Sequence, residues 1–132
     1  MPTGNVLLAS HSAWDTDALA KELRRRGFNP FTSANDHEAI NWATALRASG
    51  KRFSVVVLIG PWPDAFVKVL AQQFLTDVAP SFLVLDDSKE PLWPALRSLS
   101  TPIGFLPPWS DSKTIAAAVV RLIGESVVRG TA

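Results

Sequence analysis

Apolar residues fall into five short runs along the chain, and each run is followed by a segment in which apolar residues recur every three or four positions. A short continuous run is typical of a buried strand, and the longer spacing is typical of one face of a helix. The runs predict strands at Asn5–Ser10, 31–34, Phe53–Ile59, Ser81–Leu85 and Ile103–Leu106. The third run, FSVVVLI, is continuous and β-branched, as expected when both faces of a sheet are covered.

Capping signals mark where the helices begin. Asn35 is followed three residues later by Glu38, which is a capping-box pattern, and Ser12 with Asp15 has the same spacing. The pair 110–111, Ser-Asp, is placed to cap the last helix. The predicted helices cover residues 15–26, 35–47 and 64–77, a shorter segment with Leu92, Leu96 and Leu99, and a final segment with Ile115, Val119, Leu122 and Ile123.

Alternation of strands and helices over 132 residues predicts one α/β domain. Crossovers of this length give a parallel five-stranded sheet with helices on both faces, which is a flavodoxin-like, doubly wound (βα)5 fold in three layers. We expect the domain to span residues 1–126 and residues 127–132 to form a C-terminal tail or linker stub. Ligands of such sheets bind outside the carboxyl ends of the strands, so candidate chemistry is sought there.

Short motifs between the elements suggest a family. The segment LRRRGF (23–28) ends the first helix and ANDHEAI (34–40) opens the second. Pro63 follows the third strand, and Pro107 and Pro108 follow the fifth. With the five-fold alternation, these features make the chain resemble the receiver domains of bacterial response regulators over nearly its whole length, and the resemblance implies a role in two-component (phosphorelay) signal transduction.

The phosphorylation positions of that family hold other residues here. Receivers bind Mg²⁺ with an acidic pair after the first strand, and the corresponding residues are Ser10 and His11. They accept phosphate on an aspartate four residues before the proline of the third turn, and that position is Ile59. Mg²⁺ requires oxygen ligands, above all carboxylates, and isoleucine cannot form an acyl phosphate.

Three further family positions differ. The hydroxyl after the fourth strand corresponds to Asp86 or Asp87, depending on the alignment, and an added carboxylate would repel phosphate. The lysine after the fifth strand is Pro107, which has no ammonium to neutralise the transferred group. The aromatic switch position falls on Gly104, with Phe105 beside it. The resemblance therefore implies a pseudo-receiver that is not an enzyme; a relocated acceptor at Asp64 or Asp87 is the alternative.

Tryptophan and proline replace the acidic residues at this edge. Trp14, Trp62 and Trp109 each follow a strand, whereas Trp42 lies within the second helix. Buried indoles would plug the vacated pocket and stabilise the fold, and exposed indoles would form a recognition patch. Both interpretations remain open. The candidate interaction surface consists of Trp14, Trp62, Phe105 and Trp109.

Composition and charge exclude several classes of protein and of chemistry. The chain is 47% apolar with a formal charge of +1, which excludes a disordered polyelectrolyte and gives no general attraction to nucleic acid or membrane. It has no cysteine, which excludes disulfides and thiolate chemistry, and its two histidines lack metal-ligand spacing. The run Arg24–Arg26 suits a helix end before Gly27, with a phosphate-binding patch as the alternative.

We therefore expect a cytoplasmic, non-phosphorylatable receiver-like module that acts through protein–protein interaction, without metal or cofactor. It would stand alone or form the regulatory domain of a longer regulator. The resemblance implies homodimerisation through the fourth helix, fifth strand and fifth helix, here residues 89–99, 103–106 and 113–123. The alternative function is binding of a nucleotide or flavin at the tryptophan-rich edge, where Trp14 would stack on the ligand.

Overall fold

A computed structural model of the chain describes residues 4–10, 16–59, 64–74, 80–85, 103–107 and 109–131. Its five strands form one sheet in which every neighbouring pair is parallel, in the order β2-β1-β3-β4-β5. The strands are β1 (Asn5–Ser10), β2 (Asn29–Ser33), β3 (Phe53–Ile59), β4 (Ser81–Leu85) and β5 (Ile103–Leu106). The flavodoxin-like α/β fold predicted from the alternation is confirmed.

Four helices are present among the described residues: α1 (Asp17–Arg25), α2 (Asp36–Ala48), α3 (Asp64–Gln72) and α4 (Ser112–Thr131). None of them has the length and apolar character needed to cross a membrane. The helix α4 continues without a break past residue 126, where we expected a tail to begin.

Alternation along the strands divides the core into two layers, because successive side chains of a strand point to opposite faces. On one face, Leu7, Val56 and Phe82 pack with apolar residues of α2 and α3. On the other face, Val55, Val57 and their neighbours pack with α1 and α4. The sheet is therefore covered on both sides, which explains why its central strands are continuous apolar runs.

The predicted starts of one strand and one helix were wrong. The strand β2 begins at Asn29, not at residue 31, because the Asn29 N–H donates to the Gly4 carbonyl at 2.9 Å and extends the pairing with β1. Pro30 is accommodated since β2 is an edge strand, where a missing N–H costs no ladder bond. The helix α1 begins at Asp17 with Thr16 as its N-cap, two residues later than predicted.

The remaining helix predictions have mixed outcomes. Asn35 is confirmed as the N-cap of α2, although Glu38 accepts the Ala34 N–H and not the Asn35 N–H of a standard capping box. The helix α2 ends at Ala48, one residue beyond the prediction. The helix α3 ends at Gln72, earlier than the predicted residue 77. The Ser12–Asp15 pair and the predicted helix with Leu92, Leu96 and Leu99 lie outside the described residues.

Candidate functional site

The carboxyl ends of four strands are aligned side by side at one edge of the sheet. Ser10 pairs in register with Ile59, Ile59 pairs with Leu85, and Leu85 pairs with Leu106. This row, which we call the carboxyl row, occupies the place where doubly wound sheets bind ligands. It brings together two of the sequence-predicted positions, Ser10 and Ile59.

The carboxyl row is apolar and closed to solvent at its centre. Ile59 is 2% exposed and belongs to the apolar cluster that packs against α1 and α4, together with Leu85. The polar member of the row, Ser10, is 3% exposed and has a bonding partner. A carboxylate at position 59 would have to enter hydrocarbon surroundings, which strongly disfavours its charged form.

A hydroxyl also ends the neighbouring strand β2. Ser33 is buried, and its Oγ donates to the Leu8 carbonyl at 3.4 Å. This bond ties the end of β2 to β1, so the hydroxyl has a structural partner within the sheet. Within the part of the chain that the structure describes, no group of three or more histidine, cysteine, aspartate or glutamate residues could hold a metal ion.

Five site predictions lie outside the described residues: His11, Trp14, Trp62, and the alternative positions Asp86 and Asp87. They remain sequence-based predictions.

The fifth strand shows why an aromatic residue is missing at position 104. A Cβ atom placed on Gly104 would lie 3.3 Å from Leu83 Cδ1 and 3.5 Å from Leu122 Cδ1. Leucines of β4 and α4 thus occupy the space that a larger side chain at this position would need. Phe105 faces the opposite side of the sheet and is 50% exposed.

The turn after β5 presents a tryptophan and a capping aspartate. Trp109 is 76% exposed, so this indole is not part of the core. Pro107 is exposed, and its carbonyl accepts hydrogen bonds from the Ser110 N–H at 3.1 Å and the Ser110 Oγ at 2.8 Å. These bonds close the turn that projects Trp109 from the sheet edge.

Asp111 is the N-cap of α4. Its Oδ1 accepts the backbone N–H of Thr114 at 2.8 Å, and this bond is the main reason why the pKa of Asp111 lies below its usual value. The carboxylate therefore serves the helix end, as the sequence predicted for this segment.

A shallow groove runs between β5 and α4. It has a volume of about 520 Å³ and is lined by Leu106, Lys113, Thr114, Ala117, Ala118 and Arg121. Its floor is apolar and its rim carries two cationic side chains. The groove lies within the described part of the face for which the sequence suggested homodimerisation.

Trp42 has a role that sequence reasoning missed. Its Nε1 donates to the Thr32 carbonyl at 3.1 Å, and its ring packs edge-on against Phe31 with 4.9 Å between centroids. The spacing of Trp42 from the buried residues Ala39 and Ala43 placed it beside the apolar face of α2, but only the structure shows that it reaches the edge strand.

No protein-family model matches the sequence, and no curated protein sequence is significantly similar to it. Solved structures do match. Chemotaxis response regulator CheY4 of Vibrio cholerae superposes with a TM-score of 0.66 and 20% identity, over 92% of this chain and 99% of that one. The Francisella response regulator 1452 receiver domain matches with a TM-score of 0.65 and 18% identity, over 93% and 98%.

A third match is the receiver domain of the hybrid histidine kinase CckA, with a TM-score of 0.65 and 19% identity, over 91% of this chain and 99% of that one. At these identities, the matches establish the fold of response regulator receiver domains. The function of this chain has to be argued from its own residues.

Proposed function

We propose that the chain is a receiver-like signalling module that performs no phosphotransfer and acts through contacts with other proteins. The observation that carries the proposal is the burial of Ile59, at 2% exposure, between Ser10 and Leu85 in the carboxyl row. The residue that we align with the phosphoacceptor of receivers is thus a buried isoleucine, whose side chain can neither ligate Mg²⁺ nor accept a phosphoryl group.

Phosphotransfer is tested by treating the protein with acetyl phosphate and Mg²⁺ and measuring its intact mass, with an ordinary receiver domain treated alongside. The expected result is phosphorylation of the ordinary receiver and an unchanged mass for this protein. The mass of one added phosphoryl group would contradict the proposal. Loss of that addition in Asp64→Asn or Asp87→Asn would then locate a displaced acceptor.

The surface through which the module acts is proposed to include the groove between β5 and α4. The apolar floor at Leu106 and Ala118 offers area that a partner would bury, and the exposed Ala117 lies beside it on α4. Since receivers pair through this face, we infer that a second copy of the chain is its partner.

Homodimerisation is tested by analytical ultracentrifugation of wild type and Ala117→Glu. A dimer is expected for wild type and a monomer for the variant, because the new carboxylate would be desolvated at the centre of the contact. The matched control is Ala45→Glu at an alanine of α2 that is likewise exposed, and it should leave the dimer intact. A monomeric wild type, or equal effects of the two substitutions, would refute this part of the proposal.

The tryptophan-rich edge is proposed as a second contact surface, supported by the exposure of Trp109 and Phe105. Tryptophan is frequent among residues that dominate binding energy, which makes an exposed indole a natural anchor. Nucleotide or flavin binding at this edge predicts a different observation, namely a coloured purified protein or tryptophan fluorescence quenched by added nucleotide. We expect neither.

A further inference from the structure

The amino-terminal edge of the sheet, opposite to the carboxyl row, gathers positive charge. In a parallel sheet with returning helices, the ends of helices and the starts of strands lie at this edge. Two segments meet here: the end of α1 with the turn to β2, and the end of α2 with the turn to β3. Together they carry six cationic residues, Arg24, Arg25, Arg26, Arg47, Lys51 and Arg52, which we call the basic edge.

The two helix ends are built in the same way. Gly27 and Gly50 both have positive φ, at 95° and 78°, which ordinary side chains rarely adopt. The next residues, Phe28 and Lys51, donate their N–H groups back to the Leu23 and Leu46 carbonyls at 3.0 Å. Each helix therefore ends in a Schellman motif, which gives the cationic turns a defined backbone.

A hydrogen-bonded pair of asparagines joins the two turns across the start of β1. Asn5 Nδ2 donates to the Arg52 carbonyl at 3.1 Å, and Asn29 Nδ2 donates to Asn5 Oδ1 at 3.4 Å. Since β2 and β3 lie on either side of β1, their starts are separated by roughly 10 Å, twice the spacing between neighbouring strands. The basic edge is therefore compact enough for one short segment to contact both turns.

Two of the six cations of the basic edge form ion pairs with a carboxylate, and a third donates a hydrogen bond to a backbone carbonyl. Glu22 binds Arg25 Nη2 at 2.5 Å and Arg26 Nε at 2.9 Å, and Arg47 donates to the Gln73 carbonyl at 3.2 Å. The other three members, Arg24, Lys51 and Arg52, are exposed, and no carboxylate among the described residues forms an ion pair with them.

We infer that the basic edge binds an acidic segment of a partner protein. The Glu22 carboxylate, held by two guanidinium groups, shows that this edge already accommodates a carboxylate in charge-assisted hydrogen bonds. The net charge of the whole chain is only +1, so the attraction is local to this edge. Exposed charges farther apart than a Debye length are largely screened from each other. A short acidic segment that lies within the basic edge is therefore attracted by all of its charges, whereas the charges of a long polyanion beyond the edge add little attraction.

This interaction is separate from the proposed function, because it uses neither the carboxyl row nor the groove between β5 and α4. It would hold equally in a module that dimerises and in one that does not.

The test measures binding of a fluorescein-labelled oligoglutamate peptide by anisotropy at low and physiological salt. Arg52→Glu and Arg24→Glu, one in each of the two segments, should each weaken binding about tenfold, since each reverses a charge of the basic edge. Lys68→Glu is the matched control, because it makes the same charge change on the exposed face of α3, away from the edge. It should change the affinity less than twofold. Circular dichroism verifies that each variant folds.

Three results would overturn the inference. The first is no binding of oligoglutamate at low salt. The second is an equal loss in Lys68→Glu and Arg52→Glu, since binding would then follow net charge and not the basic edge. The third is tighter binding of labelled oligothymidylate than of oligoglutamate with the same dependence on Arg24 and Arg52, which would assign the edge to nucleic acid.

Discussion

Asn35 caps the start of α2 with its side chain. Its Oδ1 accepts the Glu38 N–H at 2.9 Å, while the Glu38 carboxylate reaches back to the Ala34 N–H at 3.4 Å. Replacement Asn35→Ala removes the first of these bonds and should lower the free energy of unfolding by about 1 kcal/mol. Urea denaturation measures the loss. Asn35→Asp keeps an equivalent acceptor and should retain most of the stability; an equal loss in both variants would contradict the capping role.

A second single residue, Glu22, makes the stability of the fold depend on pH. Its hydrogen bonds, first to Arg25 and then to Arg26, hold the pKa of Glu22 below its usual value of 4.5. Because the pKa of Glu22 is lower in the folded state, the stabilisation of the fold by its bonds to Arg25 and Arg26 is fully present above about pH 4.5. It is lost as the pH falls through the lowered folded value.

The stability difference between wild type and Glu22→Gln should therefore be constant from neutral pH down to about pH 5 and should shrink in more acidic solution. Urea denaturation at a series of pH values measures it. A difference that grows as the pH falls would have the wrong sign for a depressed pKa.

Among the secondary-structure elements, β2 shows how this protein protects a sheet edge. Unpaired backbone groups on an edge strand invite pairing with another chain. The Asn29 N–H points towards β1, so the alternate residues Pro30 and Thr32 present their backbone groups to the free edge. Pro30 has no N–H to offer, and the Thr32 carbonyl is occupied by Trp42. The edge is thereby left with few groups available for pairing.

Replacement Trp42→Phe removes the indole N–H but keeps an aromatic ring against Phe31. We expect a loss of about 1 kcal/mol in the free energy of unfolding, from the bond to Thr32. Trp42→Ala should cost more, because it also removes the ring packing. No loss in Trp42→Phe would show that the hydrogen bond contributes nothing, and equal losses in the two variants would show that the ring packing contributes nothing. Light scattering of Trp42→Phe at increasing concentration should also reveal greater self-association through the uncovered edge.

For the molecule as a whole, the apolar core extends to the carboxyl end of β3 at Ile59, the residue that we propose to correspond to the phosphoacceptor of receivers. Ile59→Asp should therefore destabilise the fold by about 3 kcal/mol or more, because it buries a carboxylate among apolar side chains. It should not restore phosphorylation by acetyl phosphate. The control Ile59→Val removes one methylene and should cost about 1 kcal/mol. Urea denaturation and intact mass check both expectations, and a stable, phosphorylated Ile59→Asp protein would contradict them.

Much of this fold was predictable because its main signals are local. Four strands, β1, β3, β4 and β5, have the predicted bounds, since strands covered on both faces leave continuous apolar runs in the sequence. The start of β2 was not predictable, because Asn29 and Pro30 are typical turn residues. They belong to the sheet only through a bond to Gly4, which lies far away in sequence.

For the candidate site, the sequence predicted which residues end the strands but not how those residues are arranged. The resemblance located Ser10 and Ile59 at strand ends, and the structure adds that they are register partners. The glycine at position 104 was noted as a departure from the family. Its reason, the approach of Leu83 and Leu122 from other elements, depends on tertiary packing.

By itself, the sequence determined the alternation of strands and helices, the caps of α2 and α4, and which residues stand at the ends of β1, β3, β4 and β5. These follow from backbone periodicity and from the chemistry of individual side chains, which act over a few residues. Tertiary structure alone decided that Trp42 covers the edge strand and that two cationic turns meet across β1. Those outcomes depend on strand order and register, which are set by contacts between residues distant in the chain.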